Sequence, residues 1–143
     1  MTYNAAINAC AKSRQWKSAL ELLQEMKSCG IKPDAITYNA AISACEKGGK
    51  WERALELVEE MKHCGIEPDV IACNAAISAC EKGRQWERAL ELLEEMKQGD
   101  LEPDVVSWSA AISACEKGGE WERALGLLEE MRASGIQPNV ISY

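Results

Sequence analysis

The chain has 143 residues, of which 47% are hydrophobic, and it carries a formal net charge of −7 at pH 7. That length allows one ordinary domain. Its longest apolar runs are only a few residues, which excludes a membrane-spanning helix. The sequence opens with neither a secretory signal nor an Arg/Ser-rich transit segment.

One block of sequence recurs with a constant step of 35 residues. The step is marked by the tryptophans Trp16, Trp51, Trp86 and Trp121. A fixed period of this size predicts a stacked array of helical repeats. We place the repeats at 1–34, 35–69, 70–104 and 105–139, with 140–143 as the start of a truncated fifth. Because neither end looks like a capping repeat, we expect the chain to be an excerpt of a longer array.

Each repeat is predicted to begin with a helix of small residues. In the second repeat this helix is placed from about Tyr38 to Lys47, with several alanines that allow close approach to neighbouring helices. Thr37 is the predicted N-cap, because its hydroxyl can accept a backbone N–H that lacks a partner in the helix. Gly48 and Gly49 are predicted to end the helix.

A second helix is predicted from about Trp51 to Lys62. Its apolar residues fall at three- and four-residue steps and form one stripe that begins with the tryptophan, while glutamates occupy the other face. Gly65 and Pro68 end it. Since one helix pair cannot bury its stripe alone, the pattern predicts an all-α fold. We expect an α-solenoid (right-handed superhelix) of stacked antiparallel helix pairs, with the tryptophans in the core.

The cysteines are predicted to be structural. Four of the seven occupy one repeat position, namely Cys10, Cys45, Cys80 and Cys115. Equivalent residues on stacked helices lie roughly 8–10 Å apart, which is too far for a disulfide without backbone movement. There is no Cys-x-x-Cys pair, and His63 is the only histidine. We therefore predict buried thiols, no metal, no cofactor, no catalytic residue and no enzyme activity.

Residues 36–69 resemble the pentatricopeptide repeat. The resemblance rests on Thr-Tyr-Asn at the head of the first helix, Lys-Gly at the turn, Glu-Glu-Met-Lys in the second helix, and Gly-Ile-x-Pro-Asp at the close. It extends over all four copies. The resemblance implies binding of single-stranded RNA, with one base contacted by each repeat.

The resemblance also implies which side chains read the base edges. The implied pairs are Asn4 with Asp34, Asn39 with Asp69, Asn74 with Asp104, and Ser109 with Asn139. In the family an Asn/Asp pair favours uracil and a Ser/Asn pair favours adenine. The implied target is therefore 5′-U-U-U-A-3′, with cytosine as the first tolerated substitute for uracil.

Two further series have roles implied by the resemblance. Aliphatic residues that would lie between successive bases are Ile36, Ile71, Val106 and Ile141, with Met1 at the equivalent position of the first repeat. Packing between repeats is the alternative role for them. Lysines that would lie near the RNA phosphates are Lys12, Lys47, Lys82 and Lys117, for which an ordinary surface role is the alternative.

The negative charge argues against nucleic-acid binding, because phosphate neutralisation supplies much of the affinity. Most carboxylates fall on the second helices, however, and the first helices are nearly neutral, so weak RNA binding is expected. The alternative function is a protein-interaction adaptor that uses the acidic convex face. Uncapped ends predict end-to-end self-association. The resemblance implies organellar RNA processing, stability or translation, in a chloroplast or mitochondrion.

Overall fold

The computed structural model describes residues 2–99 and 101–135, and within them it contains eight α-helices and no strand. The first helices of the repeats are α1 (Thr2–Lys12), α3 (Ala35–Lys47), α5 (Val70–Lys82) and α7 (Val105–Lys117). The second helices are α2 (Trp16–Ser28), α4 (Trp51–His63), α6 (Trp86–Gln98) and α8 (Trp121–Ala133). The prediction of an all-α fold is confirmed.

The helices form two layers with different packing. Each first helix packs on the second helix of its own repeat and on the first helix of the next repeat. In the described part of the chain, by contrast, the backbones of the second helices approach those of first helices only, and long side chains such as Lys62 and Glu95 bridge one second helix to the next. We call α1, α3, α5 and α7 the inner layer and the other four helices the outer layer. The predicted α-solenoid of stacked helix pairs is confirmed.

Small side chains explain the close spacing of the inner layer. Ala41, Ala44 and Cys45 are fully buried in α3, as are the equivalent Ala76 and Ala79 in α5. With so little volume between them, the helix axes can approach closely. The side chains on the open surface of this layer are thereby held at a regular spacing.

Three of the tryptophans that open a second helix, Trp16, Trp51 and Trp86, pack on the following repeat. A Cβ atom added to Gly48 would lie 2.5 Å from Trp16 Cδ1, and one added to Gly83 would lie 2.2 Å from Trp51 Cδ1. The ring therefore occupies the space left by the missing side chain at the end of the next first helix. Trp121 is 66% exposed, so its assignment to the core is wrong.

The first helices begin earlier than predicted. Helix α3 starts at Ala35, and its N-cap is Asp34, whose Oδ1 accepts a hydrogen bond from the Thr37 backbone N–H at 3.0 Å. Thr37 is the third residue of the helix, so its prediction as the N-cap is wrong. The short carboxylate meets the backbone N–H groups that a helix start leaves without partners. Asp69 and Asp104 cap α5 and α7 in the same way.

A buried hydrogen-bond network joins the two layers. The Tyr38 hydroxyl on α3 donates to Glu60 Oε2 on α4 at 2.7 Å, and the same carboxylate forms an ion pair with Lys27 of the preceding repeat. Burial acts to raise the pKa of Glu60, but the hydrogen bonds from Lys27 and Tyr38 outweigh it and hold the pKa below its usual value. The carboxylate therefore links three helices in its charged form.

The seven cysteines are free thiols, and their burial differs by position. Cys45, Cys73, Cys80 and Cys115 are buried, and burial raises the pKa of the Cys80 thiol to about 12. Such thiols are poor nucleophiles, in agreement with a packing role. Cys29 and Cys64 are exposed, contrary to the prediction that the thiols are buried.

Candidate nucleic-acid interface

The inner layer carries a line of paired amide and carboxylate side chains. Asn74 Nδ2 on α5 donates to Asp104 Oδ1, the last residue of the same repeat, at 3.1 Å. Asn39 Nδ2 lies 3.4 Å from both carboxylate oxygens of Asp69. The structure thus brings together residues that are 30 positions apart in sequence, as the resemblance implied.

Each of these aspartates serves two repeats. Asp104 holds Asn74 of the third repeat and caps the first helix of the fourth, where it accepts the Ser107 backbone N–H at 3.0 Å. Burial acts to raise its pKa, but the hydrogen bonds from Ser107 and Asn74 outweigh burial and lower it. In Asp34 the Thr37 backbone N–H is the main cause of a lowered pKa, and Asn4 adds a further hydrogen bond.

A hydroxyl group completes two of these sites. Thr37 Oγ1 donates to Asn4 Oδ1, and Ser107 Oγ donates to Asn74 Oδ1. Sequence reasoning missed this contact because it took Thr37 for the N-cap. An Asp followed three residues later by Thr or Ser is typical of a capping box, and that spacing could have revealed the contact.

The aliphatic series of the inner layer faces solvent. Ile36, Ile71 and Val106 are 66%, 65% and 56% exposed, although each stands near the start of a well-packed helix. Such exposure does not agree with packing between repeats, which was the alternative role. Ile141 and Met1, which the sequence places in the same series, lie outside the described residues.

The four lysines of the inner layer fall into two groups. Lys82 forms an ion pair with Glu46 of the preceding repeat, and Lys117 forms one with Glu81. Lys12 and Lys47 have no ion pair in the described part of the chain. For Lys47 the reason is in the sequence, because the first repeat has Ala11 where the next has Glu46.

The fourth pair is only partly described. Ser109 lies half-buried on α7, at the place that Asn74 takes on α5, while Asn139 lies outside the described residues. The part of the chain that is described has no group of three His, Cys, Asp or Glu residues placed to hold a metal ion. It also has no helix that is long and apolar enough to cross a bilayer.

The outer layer is acidic and crosslinked by ion pairs between repeats. Lys62 Nζ lies 2.7 Å from Glu95 Oε1, and Lys97 Nζ lies 2.7 Å from Glu130 Oε2. Both pairs are exposed enough to contribute at most about 1 kcal/mol each. The two layers therefore differ in charge as well as in spacing.

This arrangement defines a class of protein. The second and third repeats each present one amide–carboxylate pair, one exposed aliphatic side chain and one lysine on the inner layer, at a constant step. A face with such translational symmetry suits an extended ligand that itself has a repeating unit. The chain is an α-solenoid whose inner layer presents a regularly repeated set of side chains.

The chain belongs to the pentatricopeptide repeat family. The model of the PPR repeat family matches residues 1–47, 33–72 and 103–143, and that of the pentatricopeptide repeat domain matches residues 56–120. Together these matches extend over the whole chain. The recognition made from residues 36–69 is confirmed. A comparison with curated proteins finds no match.

Solved structures of similar fold include other pentatricopeptide repeat proteins. The chain is 30% identical to the pentatricopeptide repeat protein PPR10 in complex with an 18-nt psaJ RNA element, with a TM-score of 0.87 over 99% of this chain. A structure of PPR10 from maize gives 31% identity and a TM-score of 0.78. This chain spans 21% and 20% of the length of these two chains.

A more distant structure shows the same fold. It is the PPR domain of Arabidopsis thaliana protein-only RNase P 1 in complex with tRNA, which is 18% identical with a TM-score of 0.86. The match covers 96% of this chain and 73% of that domain. At this identity the likeness concerns the fold alone.

Proposed function

We propose that this chain is a sequence-specific single-stranded RNA-binding module that contacts one base per repeat and prefers 5′-U-U-U-A-3′. The observation that carries the proposal is the contact between Asn74 Nδ2 and Asp104 at 3.1 Å, which recurs at 3.4 Å between Asn39 and Asp69. The similarity to PPR10, whose structure contains an RNA element, supports the same ligand class.

The amide–carboxylate pair suits the recognition of a base edge. A carboxylate only accepts hydrogen bonds, so it takes one of the two Nδ2 hydrogens of the asparagine and fixes the plane of the amide. The second hydrogen remains for a base. Uracil offers carbonyl acceptors on its Watson–Crick edge, and that edge is accessible only in single strands.

The exposed aliphatic side chains give each base a defined place. Ile36, Ile71 and Val106 stand near the starts of successive inner helices, where each would lie between neighbouring bases, and Ile141 would continue the series. Contact with the flat face of a base buries apolar surface and is independent of sequence. The aliphatic side chains would therefore set the spacing of the bases, while the asparagine and the aspartate would select which base is bound.

Phosphate contacts are proposed for Lys12, Lys47, Lys82 and Lys117. The first two carry an uncompensated positive charge, whereas the charges of Lys82 and Lys117 are offset by Glu46 and Glu81. Because affinity for nucleic acid depends on the phosphates neutralised, we expect Lys12 and Lys47 to contribute more. With a net charge of −7, binding by four repeats alone should be weak and sensitive to salt.

In this proposal the units of recognition are the repeats 1–34, 35–69, 70–104 and 105–139. The chain binds rather than catalyses, and we assign it no catalytic residue. The process is organellar RNA processing, stability or translation, in a chloroplast or mitochondrion. These features are carried by the family resemblance.

The test is an RNA titration with base substitutions. Fluorescence anisotropy should show tighter binding to an oligonucleotide containing U-U-U-A than to a scrambled one. Equal binding to both, or no binding, would contradict the proposal and favour a protein-interaction adaptor.

A variant of one reading residue sharpens the test. Asn74→Thr should move the preference at the third nucleotide from uracil to guanine and leave the other nucleotides unchanged. Asn8→Thr, on an exposed position of α1 outside the reading series, is the matched control and should change no preference. An unaltered preference in Asn74→Thr would remove Asn74 from the reading site.

A further inference from the structure

One reading site differs from its neighbours in the atoms that surround its amide. Asn39 Oδ1 is buried and has no hydrogen-bond partner among the described residues. The equivalent oxygens of Asn4 and Asn74 accept hydrogen bonds from Thr37 and Ser107. The residue at the corresponding place beside Asn39 is Ala72, whose methyl group can donate nothing.

The donors and acceptors around Asn74 allow only one orientation. Because the Asp104 carboxylate only accepts, the amide atom that faces it must be Nδ2, and the atom that faces Ser107 must then be Oδ1. The Ser107 hydroxyl donates its single proton to Asn74 Oδ1, which lies closer to it than Asp104 Oδ1 at 3.0 Å, and it accepts the Asp104 backbone N–H at 3.1 Å. Every polar group in this site is therefore satisfied, and both ends of the amide are held.

Asn39 is held at one end only. Its Nδ2 lies 3.4 Å from Asp69, which is beyond the usual hydrogen-bond range and longer than the 3.1 Å seen between Asn74 and Asp104. A buried carbonyl oxygen without a hydrogen-bond donor is unfavourable. The free energy is therefore lowered when the side chain turns so that this oxygen meets water or a bound base. The same scaffold thus holds two versions of one reading site.

We propose that a hydroxyl at the third residue of a first helix, where it is present, is a positioning group for the asparagine of the preceding repeat. Thr37 and Ser107 hold the side-chain amides of Asn4 and Asn74 in one orientation before a base binds. Ala72 cannot do so for Asn39, whose amide accepts more than one base as a result. This inference rests on the proposed RNA binding. It adds that the second nucleotide is read less strictly than the first and third, although the second and third repeats have the same Asn/Asp pair.

The first experiment needs no RNA. Side-chain ¹⁵N relaxation of the asparagine NH₂ groups should give a lower order parameter for Asn39 than for Asn74 in the unaltered protein. Ala72→Ser should raise the Asn39 value toward that of Asn74, and Ser107→Ala should lower the Asn74 value alone. Equal order parameters for Asn39 and Asn74, or no response to either substitution, would overturn the inference.

The second experiment measures base discrimination. The ratio of dissociation constants for cytosine and uracil is determined at the second and the third nucleotide in turn. Loss of one hydrogen bond should change such a ratio by roughly three- to tenfold. Ser107→Ala should lower the ratio at the third nucleotide only, and Ala72→Ser should raise it at the second nucleotide only.

The outcomes separate positioning from a structural effect. If Ser107→Ala weakens binding to all oligonucleotides by one factor and changes no ratio, the hydroxyl serves only as a helix cap and the inference is wrong. Ala72→Ser keeps the test decisive if Ser107→Ala fails to fold, because an unchanged ratio at the second nucleotide also overturns it.

Failure of the proposed function has a different signature. An unaltered protein without a base preference at any nucleotide would contradict sequence-specific RNA binding. The relaxation data would still decide whether the hydroxyl positions the amide, since they are recorded on the free protein.

Discussion

The inner and outer layers of the solenoid are built from the same repeat but differ in how their helices are held together. The inner helices are joined by fully buried small residues such as Ala44 and Ala79, which fix their spacing. The backbones of the outer helices do not approach one another in the described part of the chain, and these helices are bridged by long side chains. Between α2 and α4 lies a groove of about 400 Å³ lined in part by Leu20, Leu23 and Leu57.

The difference indicates where regularity matters. A face that contacts a repeating ligand needs a constant step, which close packing of small side chains supplies. The outer layer is bridged by long, partly exposed pairs such as Lys62 with Glu95, which tolerate variation in distance. Substitutions should therefore have large effects where the layers lock together, and small ones on the outer surface.

The largest effect is expected where an outer tryptophan meets an inner glycine. In Gly83→Ala the new Cβ would lie 2.2 Å from Trp51 Cδ1, so the ring must move. Such overpacking costs about 1–3 kcal/mol, and urea denaturation should show this loss of stability.

The control is Gly126→Ala in α8, where no atom lies within 4 Å of the added Cβ. It should stabilise by about 1 kcal/mol. A Gly83→Ala protein as stable as the original would contradict the close packing of Trp51 on Gly83.

A smaller effect is expected at the aspartates that join repeats along the inner layer. Asp104→Ala removes the cap of α7 and should cost about 1 kcal/mol. Since the folded protein lowers the pKa of Asp104, this contribution is complete above the unfolded pKa of about 4 and is lost as pH falls through the lower folded value. Thermal melts from neutral to acid pH should therefore show a shallower acid loss in Asp104→Ala. In the exposed control Glu102→Ala the acid loss should stay as steep as in the original, and equal slopes in all three proteins would refute the role of Asp104.

The smallest effect on stability is expected for substitutions of the lysines. Their effect on RNA binding shows how the inner and the outer layer differ. Lys47→Gln should reduce the salt dependence of binding, by a slope of about 0.7 if one phosphate contact is lost. Lys82→Gln should reduce it less, because Glu46 already offsets that charge. Lys62→Gln, on the outer layer, should leave it unchanged. Titrations at several salt concentrations measure the slope, and equal slopes for all variants would argue against phosphate contacts on the inner layer.

The architecture could be predicted from sequence because every element is repeated. One Trp, one Pro and one Met per 35 residues define the step, and the three- and four-residue spacing from Trp51 to Met61 defines the second helix. The helix starts were missed at Asp34, Asp69 and Asp104. Pro-Asp is typical of a turn, and only Asp34 and Asp104 are followed three residues later by the Thr or Ser that indicates a capping box.

The candidate site could be predicted only in part. The pairing of Asn74 with Asp104 followed from the resemblance, but the role of Ser107 depends on a contact between residues 33 positions apart. The ion pair of Lys82 with Glu46 depends likewise on how neighbouring repeats stack. Local sequence patterns describe one repeat, whereas these contacts belong to the boundary between two.

The aspartates that are shared across repeat boundaries have a consequence for protein engineering. If arrays are recombined by cutting between Asp34 and Ala35, each transplanted block takes away the carboxylate that caps its neighbour's helix. It also loses the hydroxyl that contacts its own asparagine. A cut in the turn after Lys47 would keep Asp69 with the helix that it caps, but it would separate Asp69 from Asn39, its partner in the reading site. A cut in either loop of the repeat therefore divides a reading site, so exchanged blocks must match at the residues that meet across the cut.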